Sequence, residues 1–116
     1  MAELLIDTDV FIDQLRGAVR LPDAAAGAWY SVVTRAELFA GRSAREEAIR
    51  TILRPLHEVA VDREIAERAG RLRRSHSLAM PDALVAASAL VHGLSLMTRN
   101  RRHFAAVDGL DLVAPG

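Results

Sequence analysis

Seven residues near the start of the chain, Leu4-Leu5-Ile6-Asp7-Thr8-Asp9-Val10, restrict the fold more than any other stretch. Three consecutive apolar residues suit a strand covered on both faces, as the strands of parallel sheets are. The apolar run then stops at an acid. A carboxylate directly after such a strand lies at its carboxyl end, the edge where open α/β sheets place their ligands. The chain is therefore expected to carry an acid on the rim of a parallel sheet.

From there the chain alternates between the periodicities of strand and helix. Glu3 to Ile6 reads as the first strand. A helix starts at Thr8 or Asp9, carries Val10, Phe11 and Leu15, and ends at Gly17. Trp29 to Val33 is aromatic and β-branched and reads as a second strand. Thr34 would cap the next helix, with Glu37 three residues on completing a capping box. Ser43 is a candidate cap for a helix reaching Leu53, which Arg54-Pro55 ends. His57 to Val61 reads as a third strand, and Asp62 caps a helix with Ile65, Ala69 and Leu72 inward. Pro81 opens a helix over Asp82 to His92 and Gly93 closes it. Leu94 to Met97 is a fourth strand ending at Thr98. A helical turn lies within Asn100 to Val107, and Leu110 to Val113 forms a last strand at an edge. This order predicts one α/β domain over 1–116, a three-layer α/β/α architecture with a mostly parallel sheet of roughly five strands.

Composition narrows the chemistry. Without cysteine there is no disulfide or thiolate metal site, and a reducing, cytoplasmic setting is expected. No basic leader is expected ahead of the first strand. The longest apolar stretch, Ala83 to Met97, is too short and too interrupted to span a bilayer. The formal net charge of zero argues against a general polyanion binder. All fifteen basic residues are arginine, so any mechanism that needs a lysine is excluded. A phosphoryl-accepting receiver domain fails on that ground.

The predicted elements bring four polar residues toward one rim. Asp7 comes directly after the first strand, Glu37 lies in the first turn after the second, and Asn100 lies just past the fourth. Asp82 begins a helix whose first turn reaches that rim only if the Ser75–Met80 loop crosses over the top. Gathered carboxylates raise each other's pKa values. A hard divalent cation, Mg2+ or Mn2+, resolves the conflict with oxygen ligands alone, and can activate water against a phosphodiester. Each residue also has a plain local role: Asp7 and Asp9 as helix caps, Glu37 in a capping box, Asp82 against a helix dipole, Asn100 in a turn.

Four segments together resemble the PIN-domain ribonucleases, in particular the VapC-type toxins of bacterial toxin–antitoxin pairs. They are Leu5 to Asp13, Ser31 to Gly41, Pro81 to Leu90, and Leu96 to Phe104 with Gly109-Leu110 after it. The resemblance implies a metal-dependent endoribonuclease, a homodimer, and a VapB-like antitoxin joining it in a heterotetramer or larger assembly. It implies Asp7, Glu37, Asp82 and Asn100 as catalytic and metal-binding residues, with Thr8 and Thr98 as hydroxyls that orient the carboxylates. Asp9 is not counted among the ligands. Arg99, Arg101 and Arg102 are expected to hold RNA phosphates, with Arg35 and Arg42 as weaker candidates. Arg71, Arg73 and Arg74 are expected on a solvated face or against the antitoxin. Phe11, Leu15, Leu38 and Phe39 form an apolar set, either core or a groove for the antitoxin.

Two other functions fit the opening motif. In a haloacid-dehalogenase-like phosphatase Asp7 would be the nucleophile and Asp9 a general acid, with Asp108 and Asp111 as the late acids. In a PIN-like binding module the acids would have no catalytic use.

Overall fold

The computed structural model describes residues 3–17 and 20–116. Among these residues, five strands, β1 (Leu4–Ile6), β2 (Trp29–Ser31), β3 (His57–Val59), β4 (Ser95–Met97) and β5 (Leu112–Val113), form one sheet in the order β3-β2-β1-β4-β5. Every neighbouring pair is parallel. β1 is central, and its three residues are all buried. The chain first builds outward from β1 to β3, then crosses back to lay β4 on the other flank. The strand order reverses beside β1, so the crevice at the carboxyl ends of β1 and β4 is the binding position of an open sheet.

Among the described residues, six α-helices cover the sheet: α1 (Thr8–Leu15), α2 (Val32–Phe39), α3 (Glu46–Leu53), α4 (Arg63–Ser75), α5 (Met80–His92) and α6 (Arg101–Phe104). Side chains alternate across the strands and divide the core in two. Leu5 and Leu96 pack with Ile65, Ala69 and the alanines of α5. Leu4, Ile6, Tyr30 and Met97 pack with Phe11, Leu38, Ile49 and Leu53 on α1, α2 and α3. The expected three-layer α/β/α fold is present, with its last strand at an edge.

Several local expectations need correction. Val32 and Val33 begin α2 rather than ending β2. Their β-branched side chains favour a strand, but the Ser31 hydroxyl accepts from the Val33 N–H at 3.1 Å and caps a helix there. The capping box of Thr34 with Glu37 does not form, because Thr34 is already inside α2 and faces inward. α3 starts at Glu46, after Arg45, and not at a Ser43 cap. β3, β4 and β5 are one or two residues shorter than expected at one end. Asp62 does cap α4, accepting from Ile65 N–H at 2.9 Å. Gly93 closes α5 in a left-handed conformation, φ +65°, which glycine adopts without a Cβ clash.

Candidate active site

The end of β1 delivers Asp7 to the rim. Its carboxylate does two jobs. Oδ1 accepts from the Thr8 N–H at 2.9 Å and caps α1. Oδ2 accepts from the Thr98 hydroxyl at 2.9 Å, across to the end of β4. The same hydroxyl stands 3.3 Å from Asp9 Oδ2 and accepts the Asn100 backbone N–H at 3.0 Å. A hydroxyl carries a single proton, so it can donate to one of these two carboxylates at a time.

A second hydroxyl serves Glu37. Thr8 Oγ1 donates to Glu37 Oε1 at 2.7 Å and lies 2.9 Å from the Thr34 hydroxyl. Thr34, Thr8 and Glu37 thus form a relay joining the start of α1 to α2, where Glu37 lies in the second turn and not the first, because α2 already begins at Val32. Asp82, in the first turn of α5, reaches the same place. Its Oδ2 is 3.6 Å from His103 Nδ1.

These groups line one cleft of about 210 Å3, bounded by Asp7, Thr8, Asp9, Glu37, Asp82, Asn100 and His103. The structure brings Asp7, Glu37, Asp82 and Asn100 to that cleft and sets Thr8 and Thr98 against the carboxylates. Asp9, not counted as a ligand on sequence grounds, is there too. Its only signal in the sequence is its position two residues after Asp7. Thr34 does not cap a helix and instead supports Thr8.

The electrostatics of the cleft are those of acids short of positive charge. Burial, with the Asp9 charge alongside, pushes the Asp7 carboxyl up from its ordinary 3.8 to about 7, against the pull of its Thr98 and Thr8 hydrogen bonds. Burial also raises Asp9, against bonds from the Arg99 backbone and Thr98. Among the described residues, no ion pair reaches Asp7, Asp9 or Glu37. Nor do three of the described Asp, Glu or His side chains close around one point as a finished metal site. The carboxylates are turned to their hydroxyls. The donor chemistry and the missing charge both fit a hard divalent cation: oxygen donors, a buried anion and a cleft open to solvent.

The arginines divide. Arg99 is tied to Asp13 by a 2.9 Å contact. Arg35 lies away from the cleft, where its Nε meets Glu58 at 2.6 Å and its Nη2 donates to the Tyr30 hydroxyl at 2.8 Å. Arg42 lines a different groove, with Ile12, Leu15 and Leu38. Arg101 and Arg102 are exposed on α6 beside Asn100. Arg71, Arg73 and Arg74 lie on α4, Arg71, Arg73 and Arg74 all exposed. Phe11 and Leu38 are core residues, 0 % and 5 % exposed, while Leu15 and Phe39 are only half-buried.

The phosphatase alternative finds no support in this geometry. Asp111 precedes β5 and accepts from the Ser95 hydroxyl at 2.6 Å, at the amino ends of the strands and opposite the rim. Asp108 is exposed and does not line the acidic cleft.

Comparison with known proteins identifies the family and the fold. The family model of the PIN domain matches residues 4–110. Ribonuclease VapC10 of Mycobacterium tuberculosis is 38 % identical over 113 residues, covering 87 % of this chain and 85 % of that protein. A toxin–antitoxin complex from Klebsiella pneumoniae contains a chain 30 % identical, with a TM-score of 0.76 and 98 % of each chain covered. DNA-bound VapBC from Salmonella typhimurium shares the fold over the full length of both chains, with a TM-score of 0.85 at 20 % identity. The chain belongs to the PIN-domain family and to its VapC group.

Proposed function

We propose that this chain is a divalent-metal-dependent endoribonuclease and the toxin of a VapBC-type pair. The observation that carries the proposal is the meeting of Asp7, Glu37, Asp82 and Asn100 on one cleft, in a chain 38 % identical to a named ribonuclease. Oxygens of those four residues would hold Mg2+ or Mn2+. When bound, such an ion lowers the pKa of water and neutralises charge on a phosphodiester.

The protein's own groups do the rest. Thr98 holds Asp7, and the Thr34–Thr8 relay holds Glu37, so both carboxylates keep their orientation at little entropic cost. Asp7 must give up the proton that burial favours before it can act as an anionic ligand. Arg101 and Arg102 take the phosphates flanking the cut. Water oxygen bonds to phosphorus, the bond to the leaving sugar oxygen breaks, and that oxygen gains a proton.

The partner site is the groove of about 430 Å3 between α1, α2 and α3, with an apolar floor of Ile12, Leu15, Leu38 and Ile49 and a rim of Arg16, Arg42 and Arg45. An antitoxin segment with apolar anchors and acidic flanks suits it. Glu37 borders both groove and cleft, so an occupant of the groove would crowd the active site. In the full assembly the chain pairs with a second copy of itself, and it acts in the cytoplasm. Among the described residues, no helix is long and apolar enough to cross a membrane.

The test is cleavage of purified RNA with Mg2+ or Mn2+ and with chelator. Asp7→Asn, Glu37→Gln and Asp82→Asn should each abolish cutting while keeping the native circular dichroism. A folded Asp7→Asn protein that cuts at the normal rate would refute the mechanism. A native protein that binds metal but cuts no RNA would favour the binding-module alternative.

A further inference from the structure

Asn100 differs from its acidic neighbours in one respect. A carboxylate presents two equivalent oxygens, but an amide presents one oxygen and one NH2 group, and only the oxygen can face a cation. Something must therefore choose which way round the amide sits. Asn100 occupies the N-cap position of α6, where asparagine ordinarily turns its oxygen onto the helix's first N–H groups. It makes no such bond. Its Nδ2 lies instead 3.0 Å from Nδ1 of His103, and both residues line the acidic cleft.

An NH2 group bonds a ring nitrogen only where that nitrogen offers a lone pair. With the NH2 group as donor, Nδ1 of His103 is the acceptor, a role that the ring tautomer with its proton on Nε2 supplies. Asp82 Oδ2, at 3.6 Å from the same Nδ1, is beyond hydrogen-bond range and does not compete. The backbone of Asn100 is fixed separately, through its N–H to Thr98 Oγ1.

We propose that His103 is a positioning residue: by accepting from Asn100 Nδ2 it locks the amide with Oδ1 as its free atom toward the cleft. This rests on the metal-dependent function proposed above. It explains how a chain with asparagine at this position presents an oxygen there. It also makes the need for His103 conditional on residue 100 being an amide.

That condition supplies the test. Mn2+ affinity is measured on the whole protein and its variants from the electron paramagnetic resonance signal of free Mn2+. His103→Ala should weaken binding about tenfold with Asn100 present, the lower end for groups that orient a ligand. In Asn100→Asp the same change should cost less than about twofold, because the two oxygens of a carboxylate are equivalent and no partner is needed to choose between them. His103→Asn puts an acceptor at the same distance from Cβ and should restore most of the affinity. The 15N spectrum of the unaltered protein should show Nδ1 of His103 unprotonated and Nε2 protonated. Equal losses in both backgrounds, no loss in either, or an Nδ1–H ring would each overturn the proposal. Failure of Asp7→Asn to loosen Mn2+ would overturn the metal reading itself, and this proposal with it.

Discussion

Replacing Asp7 by asparagine should make the metal-free protein more stable while destroying its activity. In the fold this carboxyl titrates near 7, against 3.8 ordinarily, because burial and the Asp9 charge disfavour its anion. The folded chain therefore binds a proton that the unfolded chain has released. Linkage gives the sign: the group costs nothing below about pH 4, and stability falls as pH rises toward 7. At about pH 8 the separation of the two values amounts to about 4 kcal/mol, and at about pH 5 to about 1.5 kcal/mol. Asparagine removes this penalty and keeps the contacts. Its Oδ1 accepts from the Thr8 N–H, its Nδ2 donates to Thr98 Oγ1, and the Thr98 proton is freed for Asp9. In chelator at about pH 8, Asp7→Asn should melt roughly 15 °C above the unaltered protein, with the gap shrinking to about 6 °C near pH 5. Mg2+ should stabilise the unaltered protein more than the variant, since a ligand stabilises only what it binds. A variant no more stable at pH 8, or a gap constant across the range, would refute burial of the Asp7 charge as the source of the cost.

Contacts at the rim and behind it set four further outcomes. Thr98→Val removes the donor to Asp7 and the acceptor of the Asn100 N–H, so RNA cleavage should fall about 10–100-fold, while Thr98→Ser stays close to normal; equal rates would dismiss the hydroxyl. Arg101→Ala in the inactive Asp7→Asn background should reduce the salt dependence of RNA binding by about one power, measured by fluorescence anisotropy. Arg35→Ala, whose guanidinium is committed to Glu58 and Tyr30, should leave that slope unchanged. Tyr30→Phe deletes the hydroxyl between Arg35 and Glu58 and should cost about 1 kcal/mol in urea unfolding, without changing cleavage.

The central strand and its acid are legible in the sequence because burial on both faces leaves a plain mark: Leu4, Leu5 and Ile6 have no polar break before Asp7. The start of α2 is not. Val32 and Val33 carry strand propensity, and the deciding factors are the Ser31 cap and the burial of Thr34 and Leu38 one turn apart. Propensity gives way to tertiary context in such cases. Asp82 can be placed from sequence only conditionally, because its reach depends on the path of the Ser75–Met80 loop, which no periodic pattern dictates. Alanines at 83, 86, 87 and 89 let α5 pack closely with Ile65 and Ala69. The partners of the site are the least visible. The Thr8–Thr34 contact spans 26 positions and the Thr98–Asp7 contact 91, and no local pattern announces them. The pairing of Arg99 with Asp13 is equally nonlocal.

The central place of β1 has a consequence for synthesis. β1 gains its second neighbour only when β4, more than eighty residues later, has also emerged. Until then Asp7 lacks the Thr98 hydroxyl, and Asn100 does not yet exist in the tunnel-free portion of the chain. A polypeptide translated only as far as α5 therefore lacks part of the acidic cleft. Whatever chemistry Asp7, Glu37, Asp82 and Asn100 perform together cannot begin before α6 has emerged.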